Sequence, residues 1–115
     1  MTRHSSHEVI IIGGGPAGLA AAAQLVRLGI DDVVVIEREQ QAGGVPRHCG
    51  HYGFGWREFR RLLAGPAYAQ RLVAAAKGID LRTGTTALAL EANGRVRVLT
   101  PEGIRTLEGR RVLLA

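Results

Sequence analysis

The sequence predicts an α/β fold in which a parallel sheet grows from a strand–helix–strand unit and carries a small antiparallel β-meander. Three observations predict it. Val9-Ile10-Ile11-Ile12 is an unbroken β-branched run, the pattern of a strand buried on both faces of a parallel sheet. It ends in Gly13-Gly14-Gly15, which opens an alanine-rich, helix-forming stretch, and a second β-branched run, Val33-Val34-Val35-Ile36, follows. Further on, Asn93-Gly94 lies between two strand-like segments, the strongest short-range hairpin signal.

The elements follow in order. Residues 9–12 form the first, central strand. Pro16 falls where the first turn of a helix tolerates proline, and residues 17–28 form a helix closed by Gly29. Alanines at positions 20 to 23 let it lie close to the sheet. Asp31 and Asp32 mark a turn before the second buried strand, residues 33–36, which ends at Glu37. Residues 40–65 turn rich in Gly, His, Pro and aromatics and read as a functional excursion, with a helical turn or two around residues 56–63. Residues 67–77 form a second helix with Tyr68, Leu72 and Ala75 on one face and Gly78 as its stop. Residues 79–82 are a third parallel strand. Segments 86–92, 95–100 and 104–107 make the meander, and residues 111–115 begin another buried strand.

Length and composition narrow the function classes. At 115 residues and 46% apolar content the chain has the material for one core. We therefore expect one unit, residues 1–115, corresponding to the N-terminal part of a nucleotide-binding domain and incomplete at its C-terminus. Sixteen glycines, about twice average usage, fall between apolar runs and imply tight turns. The lone Cys49 has no partner for an internal disulfide, so a reducing, cytoplasmic setting is expected. The net charge of +5 is scattered, and its densest group, Arg57, Arg60 and Arg61, reads as the solvated face of a helix rather than a nucleic-acid site. Residues 1–8 lack the apolar stretch of a secretory signal, and the apolar runs are too short to span a bilayer.

The glycine loop carries the chemistry. A dinucleotide diphosphate has two negative charges to be held without a metal, and a helix N-terminus offers unpaired N–H groups and the positive end of a dipole. Gly13 permits the turn from strand to helix, Gly15 keeps a side chain out of the diphosphate path, and Gly18 lets helix and strand approach. Gly14, Pro16 and Ala17 complete the loop. Glu37, at the end of the second strand and 19 residues after Gly18, stands where a carboxylate accepts hydrogen bonds from the adenosine ribose. It also disfavours a 2′-phosphate by like-charge repulsion, although Arg38 beside it tempers that exclusion.

Residues Ile11 and Ile12 with Gly13-Gly14-Gly15-Pro16-Ala17-Gly18-Leu19-Ala20-Ala21, then Val35-Ile36-Glu37-Arg38 and Gly43-Gly44, resemble the two-dinucleotide-binding-domain flavoproteins, the glutathione-reductase-like superfamily. The resemblance implies a Rossmann-like βαβ FAD/NAD(P)-binding fold and FAD as the cofactor. It also implies contacts to the adenosine and diphosphate from Glu37, Arg38, Gly43 and Gly44. A meander after the third parallel strand fits the same superfamily. Residues 43–51, 53–55 and 65–69 are similar to the flavoprotein subunits of dehydrogenases acting on amines, opines or glycerol 3-phosphate. That similarity implies hydride transfer from a small amine- or hydroxyl-bearing substrate to the flavin, with an electron-transfer partner subunit to receive the electrons. The chain would supply only the first quarter to third of such an enzyme and be inactive alone.

The superfamily's redox-active disulfide needs two nearby cysteines, and the sequence has one. His48, Cys49 and His51 are too cramped for a usual zinc site and no pair downstream completes four ligands, so no metal is expected. Their loop reads either as lying along the flavin or its diphosphate, with Arg47 or His48 meeting an anionic group, or as packing against further chain. The catalytic residues are not identified. Two alternatives stay open: an NAD-binding dehydrogenase domain, and a truncated, non-catalytic nucleotide-binding remnant.

Overall fold

A computed structural model describes residues 3–44, 48, 52–55, 63–76 and 78–115. Its frame is a six-stranded sheet. Strand β1 (Arg3–Ile12) leads into helix α1 (Pro16–Arg27) and strand β2 (Val33–Ile36). A two-stranded ribbon, β3 (Tyr52–Phe54) with β4 (Leu63–Ala64), precedes helix α2 (Gly65–Ala75) and strand β5 (Asp80–Arg82). The meander β6 (Thr86–Leu90), β7 (Arg95–Thr100) and β8 (Gly103–Leu114) completes the chain. The strand order is β5-β2-β1-β8-β7-β6, parallel from β5 through β8 and antiparallel across β8, β7 and β6. This is the expected α/β fold, a Rossmann-like parallel sheet with its meander. Among the described residues no helix is long and apolar enough to cross a membrane.

The β-branched runs are buried for the reason their composition suggests. Val9 and Ile11 join Val33, Val35, Leu19, Ala22 and Leu72 in a core between sheet and helices. Ile10 turns the other way, with Val34 and Ile36, into a second core completed by Val96, Val98 and Leu107 of the meander. Residues i and i+1 of a strand point to opposite faces, so a strand with a core on each side has no place for a polar residue. Ile10 and Ile11 are both fully buried. Ile10→Val should cost about 0.5–1.5 kcal/mol, measured by chemical denaturation with an unchanged slope.

Helix α1 ends as its glycine requires. Gly29 takes φ +88°, the Gly29 N–H donates to the Val26 carbonyl and the Ile30 N–H to the Leu25 carbonyl, the paired bonds of a Schellman cap. Asn93 and Gly94 both have positive φ, as the hairpin signal demands. A Cβ on Gly94 would run into the Gly109 carbonyl oxygen, so the turn also needs glycine for close approach to β8.

Four boundaries differ from the sequence reading. Strand β1 begins at Arg3 rather than Val9, pairing Arg3 with Arg105 through His7 with Gly109 before the buried stretch; polar side chains do not oppose pairing where one face of a sheet is wet. The segments 104–107 and 111–115 are a single strand, β8, which runs through Gly109 instead of breaking there. A Cβ at Gly109 would lie 2.9 Å from the Ile10 side chain, so this glycine makes room for a neighbour rather than a turn. Helix α2 starts and stops two residues early, and Ala69, Leu72 and Ala76 are buried while Ala75 is exposed. The helical turn expected around residues 56–63 falls largely outside the described residues, with Leu63 in β4.

Candidate functional site

The site forms where β1 ends. The Gly13 N–H donates to the Ile36 carbonyl at 2.8 Å, fastening the loop to the end of β2. Gly13 has φ +118°, a conformation reserved for glycine. A Cβ on Gly18 would overlap the Gly13 carbonyl oxygen, so Gly18 is the close-packing glycine that its place in the motif implies. Gly15 differs from both. It caps α1 with φ −84°, and an added Cβ would meet nothing nearer than the Gly44 Cα at 3.7 Å. Among the described residues that position is open. No side chain caps α1 and its first turn carries no acid, leaving the backbone donors and the dipole end to a ligand.

Glu37 is the best-anchored side chain here, 8% exposed. Its Oε1 accepts the Gly14 N–H at 3.0 Å and its Oε2 the Glu39 N–H at 2.7 Å. Its backbone is held as well: the N–H donates to the Arg82 carbonyl at 2.9 Å, and its carbonyl accepts the Thr85 N–H at 3.0 Å. A carboxylate has about four lone-pair sites, so acceptor capacity remains for a hydroxyl-bearing ligand after both amides are served. Glu37→Gln puts an NH2 group against one of those donors and should destabilise the chain by about 1–3 kcal/mol, read from a denaturant midpoint.

A cavity of about 290 Å³ gathers Gly13, Gly15, Glu37, Arg38, Gly44 and His48 around this point, together with Glu39, Gln41 and Ala115. Of the residues singled out from sequence, Gly14, Pro16, Ala17, Gly18 and Gly43 do not line it. Gly14 is buried against Glu37, and Gly18 against the turn. Pro16 and Ala17 form the open first turn of α1, with Ala17 exposed. Gly43 lies behind the loop, its N–H donating to the Gly14 carbonyl at 2.7 Å. Arg47, Cys49 and His51 lie outside the described residues.

Sequence reasoning missed Glu39, Gln41 and Ala115. The first was legible in principle, since an acid can accept the backbone N–H two residues on. The Ala115 N–H donates to the Ile12 carbonyl at 3.0 Å, which brings the end of β8 beside Gly13, a neighbourhood that only the strand order reveals. Two larger cavities lie elsewhere. One of about 610 Å³ runs between α2 and β5, and one of about 520 Å³ between the end of β5 and the meander. Neither includes a residue of the glycine loop.

Residues 6–52 match the FAD binding domain family. The cofactor this match supports is FAD. The matched stretch runs from β1 through the loop, α1, β2, Glu37 and the Gly43-Gly44 pair, so it covers the cavity's main walls. The chain is 45% identical over 51 residues to the soluble pyridine nucleotide transhydrogenase of Vibrio atlanticus, an alignment covering 44% of this chain and 10% of that one. It is 56% identical over 39 residues to the flavin-containing monooxygenase FMO GS-OX-like 5 of Arabidopsis thaliana, covering 34% of this chain and 8% of the relative. Among solved structures, L-proline dehydrogenase from P. horikoshii superposes with a TM-score of 0.82 at 26% identity, over 100% of this chain and 23% of that one. The chain thus spans about a tenth of these curated relatives and about a quarter of the dehydrogenase. The similar proteins are flavoprotein oxidoreductases and monooxygenases.

Proposed function

We propose that residues 1–115 are the N-terminal FAD-binding part of an FAD-dependent oxidoreductase, with Gly13, Gly14, Gly15, Pro16, Ala17 and Gly18 holding the diphosphate. Glu37 takes the adenosine ribose, and Arg38, Gly43 and Gly44 complete the adenosine side. The observation that carries this reading is the space at Gly15. An α-helix N-terminus without a capping side chain, a buried carboxylate and an open backbone position meet in one cavity, and a diphosphate with its ribose satisfies all three. His48, which lines the same cavity, is placed on the anionic side of the cofactor.

For the full-length enzyme we propose hydride transfer from a small substrate whose reacting carbon bears nitrogen or oxygen, with an electron-transfer partner subunit and a cytoplasmic setting. The similarity to an L-proline dehydrogenase over the whole of this chain favours an amine. Bound FAD supplies the hydride acceptor, and the residues described here bind and orient its adenosine end.

Purified chain should be yellow and release FAD on denaturation, or bind added FAD well above NAD when titrated. A colourless protein with no preference for FAD over NAD sinks the reading and favours the remnant or NAD-binding alternatives.

A further inference from the structure

We propose that helix α2, which contributes nothing to the wall of the glycine-loop cavity, is coupled to FAD binding through Ala69, a positioning residue for the diphosphate loop. The inference rests on the reading that this loop holds FAD. Its basis is a chain of close neighbours. Ala69 is 2% exposed, and its methyl group lies 2.6 Å from where a Cβ on Gly43 would stand. Gly43, at φ +121°, gives its N–H to the Gly14 carbonyl at 2.7 Å. The next residue, Gly44, closes over the loop: a Cβ there would lie 2.9 Å from the Gly15 Cα and 3.0 Å from the Pro16 Cδ. The Ala69 methyl thus packs close to Gly43, Gly43 bonds the Gly14 carbonyl and Gly44 packs close to Gly15, a run of near neighbours from α2 to the diphosphate cradle.

Two consequences follow. A larger side chain at position 69 bears on Gly43, where the Ala69 methyl already lies close, or extends into the cavity between α2 and β5 that Ala69 also lines. Where it bears on Gly43 it lengthens the Gly43–Gly14 hydrogen bond and shifts Gly44 over Gly15, so the cradle is disturbed from behind while its own residues are untouched. Interiors transmit such shifts because they are close-packed. Coupling between two positions is also reciprocal. FAD held against Gly15 should resist movement of Gly44 and Gly43, and thereby hold α2 more firmly in place.

The test compares FAD affinity in the wild-type chain, Ala69→Ser and Ala69→Val, with Leu107→Ala as a control that damages the opposite core. Measurements are made by flavin fluorescence below every variant's unfolding transition. Ala69→Val should weaken FAD about tenfold, Ala69→Ser less, and Leu107→Ala by no more than about twofold. In a hydrogen-exchange experiment saturating FAD should slow the amides of residues 69–76, and Ala69→Ser should lose part of that protection. If Ala69→Val does not fold, Ala69→Ser and the exchange data decide. Wild-type affinity in the Ala69 variants, or exchange in α2 that ignores FAD, overturns the coupling while leaving the FAD site standing. A wild-type chain that does not bind FAD overturns both.

Discussion

Gly15→Val should reduce FAD affinity by at least about a hundredfold, on the order of 3 kcal/mol, while the chain keeps its fold. The two halves of that expectation have separate grounds. The fold tolerates the side chain because φ at Gly15 is −84° and the nearest atom to an added Cβ is 3.7 Å away. Replacing an N-cap glycine by a β-branched residue costs about 1 kcal/mol, a modest part of a small domain's stability. The site does not tolerate it, because the isopropyl group stands between the α1 N-terminus and the diphosphate, and the donors of the first helical turn lose their line to the charge. Far-ultraviolet circular dichroism and thermal unfolding report the first half, and flavin fluorescence titration the second. Wild-type FAD affinity in a folded Gly15→Val chain would remove the loop from the site.

The same glycine shows what could be read from the sequence and what could not. The motif, its strand, its helix and the register of Glu37 were all legible, since each depends on residues close in sequence and on a short list of steric rules. The structure adds the steric ground for each glycine. Gly13 is required by its backbone angle, Gly18 by a carbonyl, and Gly14 by Glu37; nothing among the described residues requires Gly15. Three serve the architecture of the turn, and the fourth is the one that the proposed site gives to the diphosphate. The sequence reading gave Gly13, Gly15 and Gly18 separate steric jobs, and what it did not contain is the neighbouring atoms that each would meet.

What stayed hidden depended on contacts distant in sequence. The polar residues 3–8 carry no strand periodicity of their own and become strand because β8 pairs with them. Gly109 looked like a break between two short strands, yet it lies within one long strand because Ile10 needs the volume a side chain would take. Gly43 was expected to touch the cofactor beside Gly44; that Ala69 packs against it and that its N–H bonds the Gly14 carbonyl could not be read from the sequence. In each case the partner lies 26 or more residues away, and local propensity is silent about it. The match to the FAD binding domain family over residues 6–52 covers the glycine loop and Glu37, while Ala69 and α2 lie beyond it.

Gly18→Val is expected to give the opposite result from Gly15→Val, although the two positions are three residues apart. A Cβ at Gly18 would overlap the Gly13 carbonyl oxygen, stand 3.0 Å from its carbon, and lie 3.3 Å from the Ile11 Cγ2. Neither obstacle can move cheaply. Gly13 is fixed by its own N–H bond to Ile36, and Ile11 is fully buried in the core under α1. Relief requires α1 to lift from β1, which strips apolar area from Leu19 and Ala22 at about 25 cal/mol per Å². The loss should exceed about 4 kcal/mol, enough to leave much of a marginally stable chain unfolded at ambient temperature. Gly18→Ala already places the Cβ and should show most of the effect, whereas Gly15→Ala should melt close to wild type. Thermal unfolding of the four variants without FAD tests this directly. If Gly18→Ala melts with the wild type, helix α1 does not lie as close to the Gly13 turn as described, and the assignment of separate roles to the two glycines falls.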